Sequence, residues 1–365
     1  MTLGFALGKF YPPHLGHVAL VEHAASLCDE LVVMIAGAQT ESIALDDRRA
    51  WLAEAVAHVP SARVVAIRDD APVDYHREIA WVAHVATIEA GLAAHGFGIP
   101  DVVVTSEAYG EELARRWRAR SEVFDVARAA VPVSATLIRS DLVAGWSMLP
   151  EATRRGLATR VVVVGAESTG TTTLADDLAA HYRDHGHPGL AAVPEYGREF
   201  TYLLHAEQAQ RAEAEGLPAP RMEDLVWLPE HFARIARRQT ELEDAAALVD
   251  PLVVADTDAL ATMVWERRYL GDGVLASADA GGPALPRRDL YLVTDHVDVP
   301  FDDDGWRDGE HLRADMTEWF TTALTERGAS WILLRGDRAT RLAYAVEAID
   351  AIVARRTRFD SPPWD

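Results

Sequence analysis

A single cysteine, Cys28, among 365 residues leaves no disulfide within the chain and too few thiolates for a cysteine-rich zinc site. No apolar run reaches the roughly 20 residues needed to cross a bilayer. The opening MTLGFALGKF has no basic segment followed by a cleavage site, and it reads as a first strand rather than a leader. Positive charge is scarce as well: 35 Lys and Arg stand against 57 Asp and Glu, a net charge of −22. That is the wrong sign for a surface that binds nucleic acid by displacing phosphate counterions. A mononucleotide needs only a few local cations and backbone N–H groups, so nucleotide substrates stay open. The expectation is a cytoplasmic protein with neither nucleic acid nor a membrane as partner. A homo-oligomeric assembly is left open.

What is present is an ordinary globular composition, 49% hydrophobic and 25% charged, in a chain long enough for two domains. Short apolar runs bounded by Gly, Asp or Pro alternate with helix-period segments. The strands expected are Leu3–Gly8, Leu31–Ala36, Arg63–Ile67 and Asp101–Thr105, then Arg160–Val164, Leu190–Val193, Leu252–Ala255, Leu290–Thr294 and Trp331–Leu334. Helical patterns lie at Val18–Leu27, Asp47–His58 and Tyr75–Ala94. Strand–helix alternation indicates βαβ units around a parallel sheet, and the rhythm restarts after Arg160. The expected fold is α/β throughout: a Rossmann-like domain over 1–150 and a P-loop kinase-like domain over 160–358, with Pro150–Thr159 between them. Asp272–Pro286 reads as a surface loop.

Gly8–His17 reads GKFYPPHLGH. Gly8 ends the first strand where backbone can approach a ligand, and the two prolines stiffen the turn. His14 and His17, spaced i, i+3, share a face where the next helix starts, beside N–H groups that form an anion site. A bare HxxH is most often surface or core histidine, but the full string resembles the GxFxPxHxGH signature of the nucleotidyltransferase superfamily. Further on, Val133–Arg139 reads VSATLIR. Ser134 is a natural N-cap, and Thr136 and Arg139 fall in the first turns of the helix it opens. The string resembles the ISxTxxR motif of the same superfamily. Adenylyl transfer needs no protein nucleophile, only positioning and neutralisation of developing charge. Lys9, His14, His17 and Arg139 are therefore the expected catalytic cations. Gly8, Phe10, Ser134 and Thr136 are expected to bind ATP, with Mg²⁺ bridging its phosphates.

The strings DRRAWL (Asp47–Leu52), TSEAYGEELA (Thr105–Ala114), FDVAR (Phe124–Arg128) and VPVSATLIRSDLVAGWSMLP (Val131–Pro150) narrow the resemblance. Together they look like the NadR-type nicotinamide mononucleotide (NMN) adenylyltransferases, whose second domain is a ribosylnicotinamide kinase. The resemblance spans about nine-tenths of the chain. It implies NMN as acceptor and NAD as product, with ATP and ribosylnicotinamide as the other ligands. Some members carry an N-terminal helix-turn-helix that makes them repressors; here strand one leaves no room for it. Leu137 stands where members commonly have Lys, leaving one phosphate contact open.

Gly165–Thr173 reads GAESTGTTT between an apolar strand and a helical pattern, the setting of a phosphate cradle. Gly165, Glu167, Ser168, Thr169, Gly170, Thr171, Thr172 and Thr173 are assigned to ATP. Thr172 occupies the Mg²⁺-binding hydroxyl position, but Thr171 replaces the expected lysine. Downstream, PEYGREF resembles the kinase family's EYxRE and supplies Glu195 and Arg198. VVADTD supplies Asp256 and Asp258, with Asp256 a second Mg²⁺ candidate, and VPFDDDGWR resembles a lid carrying Arg307. Without the lysine, either Arg198, Arg307 or Arg313 supplies its charge, or the domain senses nucleotide without turnover. The intact remaining motifs favour an active kinase. An adenylyltransferase for another acceptor, such as a flavin or pantetheine phosphate, is a further rival.

Other residues carry blander expectations. Trp51, Trp81 and Trp117 read as core or interface. His58, His84, His95, His181, His185 and His187 read as solvated or helix-terminal. Trp146 is placed in the helix opened by Ser134, equally able to pack near the nicotinamide. Asp302–Asp304 reads as a solvated loop and FDSPPWD as a tail without a role.

Overall fold

The computed structural model describes residues 1–74, 76–127, 129, 131–271, 287–302 and 309–360. Arg307, the loop Asp272–Pro286, Asp303 and Asp304 lie outside the described residues. The chain divides into two compact units, Met1–Leu157 joined by the last residues from Arg356, and Ala158–Arg355.

The first unit runs β1 (Leu3–Gly8), α1 (Leu15–Ala25), β2 (Glu30–Gly37), α2 (Leu45–Ala55), β3 (Ala62–Arg68), α3 (Glu78–Ala94), β4 (Val102–Thr105), α4 (Tyr109–Trp117), β5 (Arg120–Val123), α5 (Ala135–Ser140), α6 (Leu142–Gly145) and α7 (Glu151–Leu157). Its sheet has the order β3-β2-β1-β4-β5, every pair parallel. Alternate residues of a strand face opposite sides, so each sheet face has its own core. Leu31, Val33 and Ile35 pack with Leu20, Val21 and Leu52 on one side. Val32 and Met34 pack with Ile88, Leu92 and Leu113 on the other. Burial on both faces is why these strands read as unbroken apolar runs.

The second unit runs β6 (Thr159–Gly165), α8 (Thr171–Asp184), α9 (Tyr196–Ala214), α10 (Pro229–Ala247), β7 (Leu252–Asp256), α11 (Ala259–Leu270), β8 (Leu290–Thr294), α12 (Arg313–Glu326), β9 (Trp331–Leu334) and α13 (Arg338–Arg356). The order is β7-β6-β8-β9, again parallel. Val161 and Val163 face α8 and α13; Val162 and Val164 face α11 and α12. Burying each valine contributes about 1.5–3 kcal/mol.

Three expectations are corrected. Leu190–Val193 is not a strand: only Val193 bridges Ala255 beside β7, while Leu190 spends its N–H on His187 O and its carbonyl on Arg183. The helix opened by Ser134 ends at Ser140, since Asp141 turns extended and caps a new helix through Ala144 N–H. Trp146 therefore falls in a separate 3₁₀ turn, 3% exposed. Among the described residues no helix is long and apolar enough to cross a membrane.

Candidate active sites

In each unit the sheet order reverses beside its first strand, between β1 and β4 and between β6 and β8. Open α/β sheets bind ligands at such switch points, beyond the carboxyl ends of the strands.

In the first unit a cavity of about 460 Å³ opens there, and Gly8, Lys9, Phe10, His14, His17, Ser134, Thr136 and Arg139 all line it. The motif residues thus converge from 120 residues apart in sequence. His14 is the N-cap of α1, and its backbone N–H donates to Nδ1 of His17 at 3.1 Å. A neutral His17 must then carry its proton on Nε2, ready to donate. The two rings stack at 3.5 Å, a separation at which two imidazolium charges oppose each other. A Cβ at Gly16 would sit 3.1 Å from the His14 ring and 3.3 Å from Val133, a tight approach that would press on the ring.

The cations are held by local partners. Lys9 Nζ lies 3.9 Å from Glu41, a fully buried carboxylate that also pairs with Arg48 at 2.8 Å. Arg48 in turn donates to Lys9 O, and burial lowers its pKa from the ordinary guanidinium value. Arg139 donates to Tyr11 O at 2.7 Å and to Thr136 Oγ1 at 3.3 Å, its guanidinium over the Tyr11 ring. Ser134 Oγ accepts from Leu137 N–H and caps α5. Leu137 itself is 62% exposed.

Sequence reasoning passed over several wall residues. His84, read as solvated, pairs Nδ1 with Asp69 at 2.6 Å and directs Nε2 to Pro72 O at 3.3 Å; Trp81 stands one helical turn before it. All of Asp69, Trp81 and His84 line the cavity. Phe359 of the C-terminal segment meets the Tyr11 ring edge-on, and Asp360 O accepts from the Tyr11 hydroxyl. None of these contacts is written in a local motif.

The hydrogen bond to Asp69 raises the His84 pKa above the ordinary histidine value. A raised value means the clasp between α3 and residues 69–74 is fully present below that ordinary value and is lost as pH rises through the raised one. Hydrogen-exchange protection factors of residues 69–74 should therefore fall across that interval. In His84→Gln they should be low throughout and independent of pH; equal protection in wild type and variant would remove the clasp.

The second unit has its own cavity, of about 130 Å³, lined by Gly165, Glu167, Ser168, Thr171, Glu195, Arg198 and Asp256. β6 ends at Gly165, and Gly170 holds a left-handed φ of 88° at the N-cap of α8, a conformation that favours glycine. Thr169 is buried with its hydroxyl on Ala166 O and Thr294 Oγ1. Glu167 bridges Arg268 at 2.9 Å and the Gly309 N–H. The hydroxyls of Thr172 and Thr171 both reach the Asp256 carboxylate, Thr172 Oγ1 at 2.5 Å. Burial pushes the Asp256 carboxyl above its usual range, while those hydroxyls and the charge of Arg198 pull it back. Arg198 stays 3.9 Å from Glu195, the N-cap of α9, and is half exposed.

Five assigned residues are not part of this cavity's wall: Thr169, Gly170, Thr172, Thr173 and Asp258. Asp258 is fully buried: it caps α11 through Ala261 N–H, accepts from Tyr291 OH and pairs with Arg288. Thr173 is exposed on α8 and does not line the wall. The far end of the cavity is aromatic instead, with Trp227 stacked on Tyr269 at 4.9 Å and packed against Phe232 at 5.1 Å.

Residues 5–141 match the cytidylyltransferase-like family and residues 160–341 the AAA domain family. Over 214 residues, 55% of the chain, there is 26% identity to the trifunctional NAD biosynthesis/regulator protein NadR of Escherichia coli (strain K12). The chain spans about half the length of that relative, 50%. A stretch of 74 residues, 20% of this chain and 46% of the relative, is 40% identical to phosphopantetheine adenylyltransferase of Cutibacterium acnes. Two solved NadR structures share the fold at 22% identity. One, in complex with NAD and AMP-PNP, has a TM-score of 0.59 over 96% of both chains. The other, in complex with NR, has a TM-score of 0.58 over 98% of this chain and 97% of its own. The chain is thus similar to NadR proteins in sequence over about half its length and shares their fold over nearly all of it, with a cytidylyltransferase-like match followed by an AAA domain match.

Proposed function

We propose that the first unit transfers an adenylyl group from ATP to NMN, giving NAD and pyrophosphate, and that the second phosphorylates ribosylnicotinamide with ATP, giving NMN. The convergence of Lys9, His14, His17 and Arg139 on one cavity carries the first half. An oxygen of the acceptor phosphate attacks the α-phosphorus, the bond to the bridging oxygen breaks, and pyrophosphate leaves with the electron pair. His17 Nε2–H donates to the α-phosphate oxygens as charge builds, and Lys9 and Arg139 hold the departing phosphates. The NadR relative named for NAD biosynthesis and the NAD-bound NadR structure support this acceptor. The match to a phosphopantetheine adenylyltransferase supports the general chemistry, and pantetheine phosphate is the acceptor to test against NMN.

For the second half, Asp256 at the end of β7 and Thr172 at the start of α8 are oxygen donors, a set that fits Mg²⁺ completed by nucleotide phosphates and water. When bound, the ion neutralises charge on the β- and γ-phosphates. Glu195 and Arg198 flank the acceptor hydroxyl, and Trp227 and Tyr269 offer an apolar wall to the base. The NR-bound NadR structure supports that nucleoside. The absence of a lysine at Thr171 favours the second reading, a domain that binds nucleotide without turning it over.

Purified protein incubated with Mg²⁺-ATP and either NMN, pantetheine phosphate or ribosylnicotinamide, with NAD, dephospho-coenzyme A and ADP followed separately, tests all three readings. NAD from NMN and ADP released only with ribosylnicotinamide are expected. No ADP above the enzyme-free control, with NAD formation intact, would leave the sensing role. Arg139→Ala should raise the KM for ATP in adenylyl transfer ~10-fold with a smaller change for NMN. Steady-state kinetics in both substrates check it, and an effect confined to NMN would reverse their placement.

A further inference from the structure

A phosphate loop without its lysine still needs positive charge near the β- and γ-phosphates, and the structure places two guanidiniums behind it. Arg313, at the start of α12, donates to Ser168 O at 3.1 Å and to Val299 O at 2.9 Å. Arg341, in α13, donates to Thr169 O at 2.8 Å, Asp295 O at 2.9 Å and Gly336 O at 2.8 Å. Both are buried, 7% and 6% exposed. Buried guanidiniums ordinarily pair with carboxylates. Among the described residues neither of these hydrogen-bonds one, and the nearby Asp295 carboxylate pairs with Arg335 instead.

Peptide geometry gives the grip a direction. In a planar trans peptide the C=O of one residue and the N–H of the next point opposite ways. Holding the carbonyls of Ser168 and Thr169 from behind therefore aims the N–H groups of Thr169 and Gly170 away from the arginines, toward the side where a phosphate is cradled. Neither of those N–H groups donates to any described residue. We propose that Arg313 and Arg341 are positioning residues that replace the P-loop lysine, orienting two amides of the loop and supplying its positive charge from the rear. The proposal rests on the reading that this loop binds nucleotide phosphates.

The test uses the full chain, titrated calorimetrically with AMP-PNP and Mg²⁺ in excess NAD, which fills the first unit's site. Arg313→Gln and Arg341→Gln should each weaken AMP-PNP binding ~10-fold or more, while NAD formation and its melting transition stay as in wild type. Thr171→Lys added to either arginine variant should restore most of its lost affinity, because the two charges do the same task. That rescue is what a merely structural arginine would not show. Wild-type affinity in both arginine variants overturns the proposal, and so does a loss that Thr171→Lys leaves unrepaired. If wild type itself binds no AMP-PNP under these conditions, the nucleotide-binding reading falls and the proposal with it.

Discussion

His17→Ala should reduce NAD formation from NMN and ATP by ~10²-fold or more in kcat, the usual cost of removing a donor that acts in the transition state. The geometry says why the loss should lie in kcat. Nδ1 of His17 already accepts the His14 N–H at 3.1 Å, so only Nε2 can serve the substrate. The ring is held between His14 at 3.5 Å and Phe10 at 4.7 Å, which leaves it little freedom to aim elsewhere. A donor fixed in this way favours the charge that appears as the acceptor attacks, and adds little to the ground state. His17→Asn, which keeps a donor but not the ring, should recover part of the rate. Ribosylnicotinamide-dependent ADP release should be untouched in both variants, because that cavity is lined entirely by the second unit. A wild-type kcat for His17→Ala would remove the first site as assigned.

Strand positions were legible because parallel strands buried on both faces must be apolar at every position, and such runs end at Gly, Asp or Pro. β1, β8 and β9 carry the bounds expected of them. β5 was missed for the converse reason: RSEV lies at the sheet edge, largely exposed, and has no apolar run to read. Leu190–Val193 has the run but not the ladder, since the backbone of Leu190 is spent on His187 and Arg183 and only Val193 reaches β7. SATLIRSDLVAG looks like one helix until Asp141, whose side chain caps a second.

The candidate sites divide in the same way. Residues that act where a strand hands over to a helix are confined to a few positions, so GKFYPPHLGH, SATLIR and GAESTGTTT could be read directly. Residues that act through neighbours brought by the fold could not. His84 gains its role from Asp69, in the connection between β3 and α3, and Trp227 from Tyr269 and Phe232. Asp258 and Asp256 are two residues apart at the end of one strand and look interchangeable. The backbone separates them: Thr257 adopts a left-handed φ of 70°, after which Asp256 reaches Thr172 while Asp258 turns to Arg288 and Tyr291. Arg341 has three backbone carbonyls as partners, and nothing in GDRATR distinguishes it from the exposed Arg338 beside it.

That division sets up a sharp contrast between two aspartates. Asp256→Ala should lower ribosylnicotinamide-dependent ADP release by ~10²-fold or more, since it removes the carboxylate that joins Thr172 at the start of α8. Asp256 is 3% exposed, and burial of its charge is the cause of its raised pKa. Removing it should therefore leave the melting temperature unchanged or higher while activity is lost. Asp258→Ala should do the reverse. It strips the cap from α11, takes the acceptor from the buried Tyr291 hydroxyl and leaves Arg288 to Glu243 alone, a loss of about 1–3 kcal/mol for the unsatisfied buried groups. The second unit should then melt earlier, and whatever folded protein remains should keep a near-normal KM for ATP. Calorimetric scans and kinase assays on the two variants, with NAD formation in the same preparations as control, separate the roles. Equal loss of stability in both, or full kinase activity in Asp256→Ala, would remove Asp256 from the chemistry.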